Sequence, residues 1–134
     1  MPSIKLPRQI VNQLMLHAQH NDKNEVCGLI SQNTDQEMTL YPMKNIATDP
    51  AHYFQMDGPQ MIRTMKSIRE EGAELFAIYH SHPSTPATPS KTDIEKAGYP
   101  DALYLIISLN TKGVIELKGY KIQQDSTTSI DLII

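Results

Sequence analysis

Tryptophan is absent, phenylalanine occurs twice and cysteine once. The lone cysteine, Cys27, cannot close an internal disulfide, so the fold does not depend on an oxidising compartment. So few large aromatics leave no stacking platform for single-stranded nucleic acid. An excess of one charge is also lacking: 12 Lys and Arg against 15 Asp and Glu give a net charge of −3. The basic residues are scattered, which excludes the basic face of a nucleic-acid binder. Long hydrophobic runs are missing too. The longest, Leu103–Ile107, falls far short of the roughly 20 residues of a spanning helix. Residues 1–8 hold two Pro and two basic side chains but no apolar signal-peptide core. The expectation is a cytoplasmic protein with neither nucleic acid nor membrane as a partner.

What is present is the composition of a soluble globular domain, 40% hydrophobic and 20% charged. The 134 residues suit one domain, 1–134, able to bury about two-thirds of its unfolded surface. No internal repeat or low-complexity linker divides it.

Residues 7–20 set Ile10, Val11, Leu14, Met15 and Ala18 at helical spacing, with Pro7 near the first turn. Residues 21–24 break the helix. Glu25–Ser31 reads as a strand, with 36–43 as its hairpin partner. A loop follows over 44–51, then a short strand over His52–Met56. Gly58-Pro59 opens a second helix to about Glu71, ended by Gly72. Glu74–His80 is an apolar run, expected as a central, buried strand. Residues 81–89, with Pro83, Pro86 and Pro89, form a rigid loop, and Ser90 to about Ala97 a short helix. Leu103–Leu109 and Val114–Ile122 are strands joined by a turn at 110–113, and Ser129–Ile134 is a last strand. The order implies an α+β fold with a mixed or mainly antiparallel sheet against helices.

The chemistry gathers in His80-Ser81-His82 and the segment up to Asp93. Two His at i and i+2 on a strand face the same side of the sheet, where two imidazoles can share a metal. Asp93 can supply a third ligand if the helix after the loop folds back over the strand end. A His2Asp site with one open position suits catalytic zinc, which acidifies a water to a pKa of about 7. Such a water needs a base that is close but not a ligand, and Glu25 is the leading candidate. Ser90, one turn before Asp93, can face the same point and donate to an oxyanion.

Each feature has a plainer reading. A single His-x-His occurs without metal. Ser90-x-x-Asp93 also fits a helix capping pattern, a role that competes for the Asp93 carboxylate. Glu25 can be a solvated strand end. Cys27 is expected to be a buried small residue, although two residues from Glu25 it shares that strand face and a role near the metal stays open. His17 and His20 are read as helix-dipole partners and His52 as structural.

Together, Glu25, His80-Ser81-His82-Pro83 and Ser90-x-x-Asp93 resemble the signature of the JAMM (MPN-plus) metalloprotease family. In that pattern a Glu precedes His-Ser/Thr-His, seven residues, Ser, two residues and Asp. Every position is filled, the seven residues being 83–89. Asn45, Pro50, Tyr53 and Pro100-Asp101-Ala102 further resemble the compact bacterial branch. The resemblance implies a JAMM/MPN-like (cytidine-deaminase-like) curved mixed sheet packed between helices. It implies zinc held by His80, His82 and Asp93, Glu25 as general acid/base and Ser90 as the oxyanion-stabilising residue. The implied substrate is a small ubiquitin-like sulfur-carrier protein, cut after its terminal Gly-Gly, for example to release cysteine. Compact domains of this kind commonly pair as homodimers. Three other readings compete: a non-catalytic MPN interaction scaffold, a structural zinc site with Cys27 as fourth ligand, and a cell-wall peptidase like those of phage tails.

Overall fold

The computed structural model describes residues 2–134. Its elements are β1 (Ser3–Lys5), α1 (Arg8–His20), β2 (Cys27–Gln32), β3 (Met38–Met43) and α2 (Gly58–Glu70), then β4 (Glu74–His82), α3 (Lys91–Lys96), β5 (Leu103–Ser108), β6 (Glu116–Gln123) and β7 (Ser126–Ile133). The strands form one sheet in the order β1-β7-β6-β5-β4-β2-β3. Pairs β1/β7 and β4/β5 are parallel and the others antiparallel. The expected mixed sheet is therefore present, and the apolar run of β4 sits between β5 and β2 as its burial required.

Alternation along β4 and β5 gives the sheet two apolar faces. Ala77, Tyr79, Leu103, Leu105 and Ile107 pack with Ile10, Val11, Leu14 and Ala18 of α1. Ile78, Tyr104 and Ile106 pack on the opposite face, where Met61 and Met65 of α2 and Ile94 of α3 cover them. Each fully buried aliphatic chain contributes roughly 1.5–3 kcal/mol, so the helices are held by the faces their periodicity marked. On α2, the Asp57 carboxylate accepts the Gln60 N–H at 3.2 Å and Pro follows in the first turn. At Gly28 an added Cβ would lie 2.3 Å from the Tyr79 ring. That close approach lets the Tyr79 hydroxyl reach Nδ1 of His17 at 2.7 Å. His17 thus has a specific partner beyond the dipole expected for it.

Several local expectations are corrected. The short strand at 52–56 is only an isolated bridge, Asn45 to Met56. Glu25 precedes β2 rather than starting it. β3 begins at Met38, because Gln36 takes a turn with φ 66°. β4 runs on through His82, so the loop is 83–89. β6 starts at Glu116 rather than at Val114. β7 starts at Ser126, after Gln124 and Asp125 at φ 47° and 65° form a tight hairpin. β1 was not expected at all. Among the described residues, no helix is long and apolar enough to cross a membrane.

Candidate metal centre

β4 carries His80 and His82 on the face of Ile78, and both rings are buried, 2% and 4% exposed. β2 pairs Cys27 with His80 and β5 pairs Ser108 with His82, so neighbouring strands fix this end of β4. The 83–89 loop then returns the chain so that α3 brings Asp93 over the imidazoles. Nε2 of His80 and Nε2 of His82 lie 3.1 Å apart, and Asp93 Oδ2 lies 3.1 and 3.2 Å from them. A tetrahedral ion bonded at about 2.0–2.1 Å sets its ligands roughly 3.3 Å apart. The triangle therefore fits a small divalent cation. The donor set is compatible with one, since two imidazole nitrogens and a carboxylate oxygen are the ligand types that zinc takes.

His82 Nδ1–H donates to the Pro86 carbonyl at 2.7 Å, so Nε2 is the nitrogen that faces Asp93 and that would offer its lone pair to a cation on losing its proton. The 83–89 loop that supplies this carbonyl is itself anchored. Tyr120 donates its hydroxyl to the Ala87 carbonyl at 2.7 Å, and Ser108 donates to that of Thr85 at 2.6 Å. Phe54 stacks on His80 with centroids 4.4 Å apart. Phe54, Ser108 and Tyr120 lie far from the motif in sequence and carry no spacing signal. Asn45, noted only for its likeness to the bacterial branch, donates to the Glu25 carbonyl at 2.9 Å.

Ser90 is the N-cap of α3. Its Oγ accepts the Asp93 N–H at 3.0 Å, and its own N–H donates to Asp93 Oδ2 at 2.9 Å. The capping role and the ligand role were expected to compete for this carboxylate. Instead one oxygen, Oδ2, serves the cap and faces both imidazoles. Burial alone would raise the Asp93 pKa, but His80, His82 and the Ser90 N–H hold it far below the usual carboxylate range. Burial lowers the His80 pKa against the pull of Asp93. Burial lowers that of His82 as well, but Asp93 and the Pro86 carbonyl outweigh it and raise it overall.

Glu25 brings a carboxylate oxygen within 4.8 Å of both imidazole nitrogens, so two carboxylates approach the pair. Asp93 is the tighter partner and Glu25 the one left over. Glu25 is 5% exposed, which rules out a solvated strand end. Its Oε1 and the Nδ1 of His80 are buried without a hydrogen-bond partner. Burial raises the Glu25 pKa from 4.5 to about 7, His82 opposing and the carboxylates of Asp93 and Asp49 adding to the rise. The metal-free native state therefore holds a proton that the unfolded chain releases near pH 4.5, and stability falls as pH rises through about 7. Metal-free Glu25→Gln should match the wild type near pH 4 in chemical denaturation and exceed it at pH 8, by on the order of 2 kcal/mol. Equal stabilities at pH 8 would show that Glu25 ionises without strain.

The remaining candidates separate from the centre. Cys27 is fully buried, its Sγ 3.8 Å from the Met43 carbonyl, and burial pushes its thiol up to about 12. With its Sγ against the Met43 carbonyl and its thiol held neutral by burial, Cys27 is a poor candidate for the fourth ligand of a closed structural site. His52 is exposed and pairs with Asp49 at 3.0 Å. A cleft of about 250 Å³ opens on His80 and Asp93, walled by Phe54, Met56, Met61 and Tyr99.

Two sheet-borne imidazoles and a helix-borne carboxylate, with a second buried carboxyl beside them, form a cluster consistent with metal binding on the fold of the JAB1/MPN and JAMM domains. The chain belongs to the family of prokaryotic homologs of the JAB domain, whose model matches residues 7–120. It is 30% identical over 121 residues to a CysO-cysteine peptidase of Mycobacterium tuberculosis, covering 89% of this chain and 82% of that one. It is 33% identical over 86 residues to a desampylase of Haloferax volcanii, covering 63% of this chain and 62% of that one. A solution structure of a Desulfitobacterium hafniense protein superposes with a TM-score of 0.83 at 31% identity, covering 96% of this chain and 90% of that chain.

Proposed function

We propose that this chain is a zinc metallopeptidase of the JAMM type. It hydrolyses the peptide or isopeptide bond after the terminal Gly-Gly of a small ubiquitin-like, sulfur-carrier-type protein. His80, His82 and Asp93 hold the zinc, Glu25 is the general acid/base and Ser90 the oxyanion donor. The observation that carries this reading is the 3.1–3.2 Å triangle of Nε2, Nε2 and Oδ2 with a buried, unpaired Glu25 oxygen beside it. The two relatives named above, a CysO-cysteine peptidase and a desampylase, support the substrate class.

Zinc, when bound, polarises a carbonyl and acidifies a water toward a pKa of about 7. The chain's own groups do the rest. Glu25 takes a proton from the attacking water and later delivers it to the leaving amine nitrogen, so one water is consumed and an acid and an amine result. Ser90 Oγ already accepts the Asp93 N–H, which leaves its hydroxyl proton free to donate to the developing oxyanion. Phe54 and the sheet bury the imidazoles, leaving His80 reachable along the cleft.

The test is mass spectrometry on zinc-loaded protein mixed with a ubiquitin-fold carrier bearing one cysteine after Gly-Gly. A lysine-linked conjugate and a muropeptide are run beside it. Loss of the residue beyond Gly-Gly from either carrier substrate is the expected result. Cleavage of the muropeptide alone would move the substrate to the cell wall, and cleavage of none would favour the interaction scaffold.

A further inference from the structure

Glu25 has an unusual division between backbone and side chain. Its carboxyl has an unpartnered buried oxygen, while its peptide is fastened from both sides. The Glu25 N–H donates to the Pro50 carbonyl at 2.7 Å, and the Glu25 carbonyl accepts from Asn45 Nδ2 at 2.9 Å. The next residue is fastened to β4: the Val26 N–H donates to the Ser81 hydroxyl at 2.8 Å, and the Ser81 N–H to the Val26 carbonyl at 3.0 Å. Because Glu25 lies outside β2, no sheet ladder holds it, and these bonds replace one.

Asn45 is the centre of this arrangement. Besides the Glu25 carbonyl, Nδ2 donates to the Tyr53 carbonyl at 3.0 Å. Oδ1 accepts the N–H groups of Ala47 and Gln55, each at 3.0 Å. Both donors and both acceptor positions of the amide are thereby used. One side chain ties Glu25 to the segment that carries Phe54, the ring stacked on His80. Full satisfaction in this geometry fixes the amide's orientation and, through it, the distance between the 25 and 53–55 segments.

We propose that Asn45 is a positioning residue for Glu25, setting the carboxyl at the imidazole pair by holding its peptide. The proposal rests on the peptidase reading only for its kinetic consequence. Asn45→Asp keeps the size and the acceptors toward Ala47 and Gln55, so the turn is retained, but it loses both donors. Misplacement of a reacting group by about 1 Å costs on the order of 10²-fold in rate. Asn45→Asp and Asn45→Ala should therefore lower kcat by about 10²-fold with KM within about twofold of wild type. Zinc per chain should be unchanged, since no ligand is touched.

The experiment measures these constants on the carrier extended by one cysteine, and in parallel the hydrogen exchange of the Glu25 amide in the zinc-loaded protein. Asn45→Asp covers the case in which the alanine variant fails to fold. Loss of protection at Glu25 with a fall in kcat is the expected pair. An unchanged kcat, or a raised KM with unchanged kcat, would overturn the proposal and make Asn45 a support of the cleft wall. If wild type cleaves no carrier, the peptidase reading fails separately. The exchange arm then decides alone, lost protection sustaining the positioning role and unchanged protection overturning it.

Discussion

Glu25→Gln is expected to keep its zinc and to lose about 10³–10⁴-fold in kcat, the scale of a general base that acts twice. The substitution removes the proton acceptor while preserving shape, in a site where the side chain is buried and has an unpartnered oxygen. The amide can neither take a proton from water nor return one to the leaving amine. KM should move little, because the cleft is walled by other residues. A variant with full activity would remove Glu25 from the mechanism. One without zinc would make Glu25 a ligand, in line with its approach to within 4.8 Å of both imidazole nitrogens.

His82→Ala is expected to abolish both metal binding and hydrolysis. His82 gives one corner of the triangle, and its Nδ1–H is the bond that ties the 83–89 loop to β4 through Pro86. Removing the ring leaves Asp93 facing a single imidazole and takes one of three anchors from the loop that delivers it, those of Ser108 and Tyr120 remaining. Thermal unfolding separates loss of metal from loss of fold. An ion that binds only the native state contributes about 4 kcal/mol at 1,000 times its Kd. A chelator should therefore lower the wild-type Tm and leave that of His82→Ala unchanged. A variant that still lost Tm on chelation would place the metal elsewhere.

The parts of the molecule that were legible in the sequence are those whose cause is local. The apolar run of β4, the periodicity of α1 and the Gly-Pro opening of α2 state their burial directly. The three proposed ligands fall within one stretch of the chain, so their spacing could be read. β1 could not be read, because three residues of mixed character become a strand only by pairing with β7 at the other end of the chain. The hairpin before β7 was hidden because Gln124 and Asp125 adopt positive φ without a glycine to mark the turn. Glu25 was found through its place in a pattern. The hold on its backbone, by contrast, comes from Asn45 and Pro50 at Glu25 and Ser81 at Val26, which sequence distance conceals. Phe54 and Tyr120 are supports of the same kind.

The central claim is that His80, His82 and Asp93 hold one zinc which Glu25 adjoins without binding. Elemental analysis of wild type, Glu25→Gln and His82→Ala, purified together and dialysed after zinc is added, tests it most directly. One zinc per chain in the first two and none in the third is the result the account predicts. No zinc in the wild type even after addition, or equal zinc in wild type and His82→Ala, would contradict it.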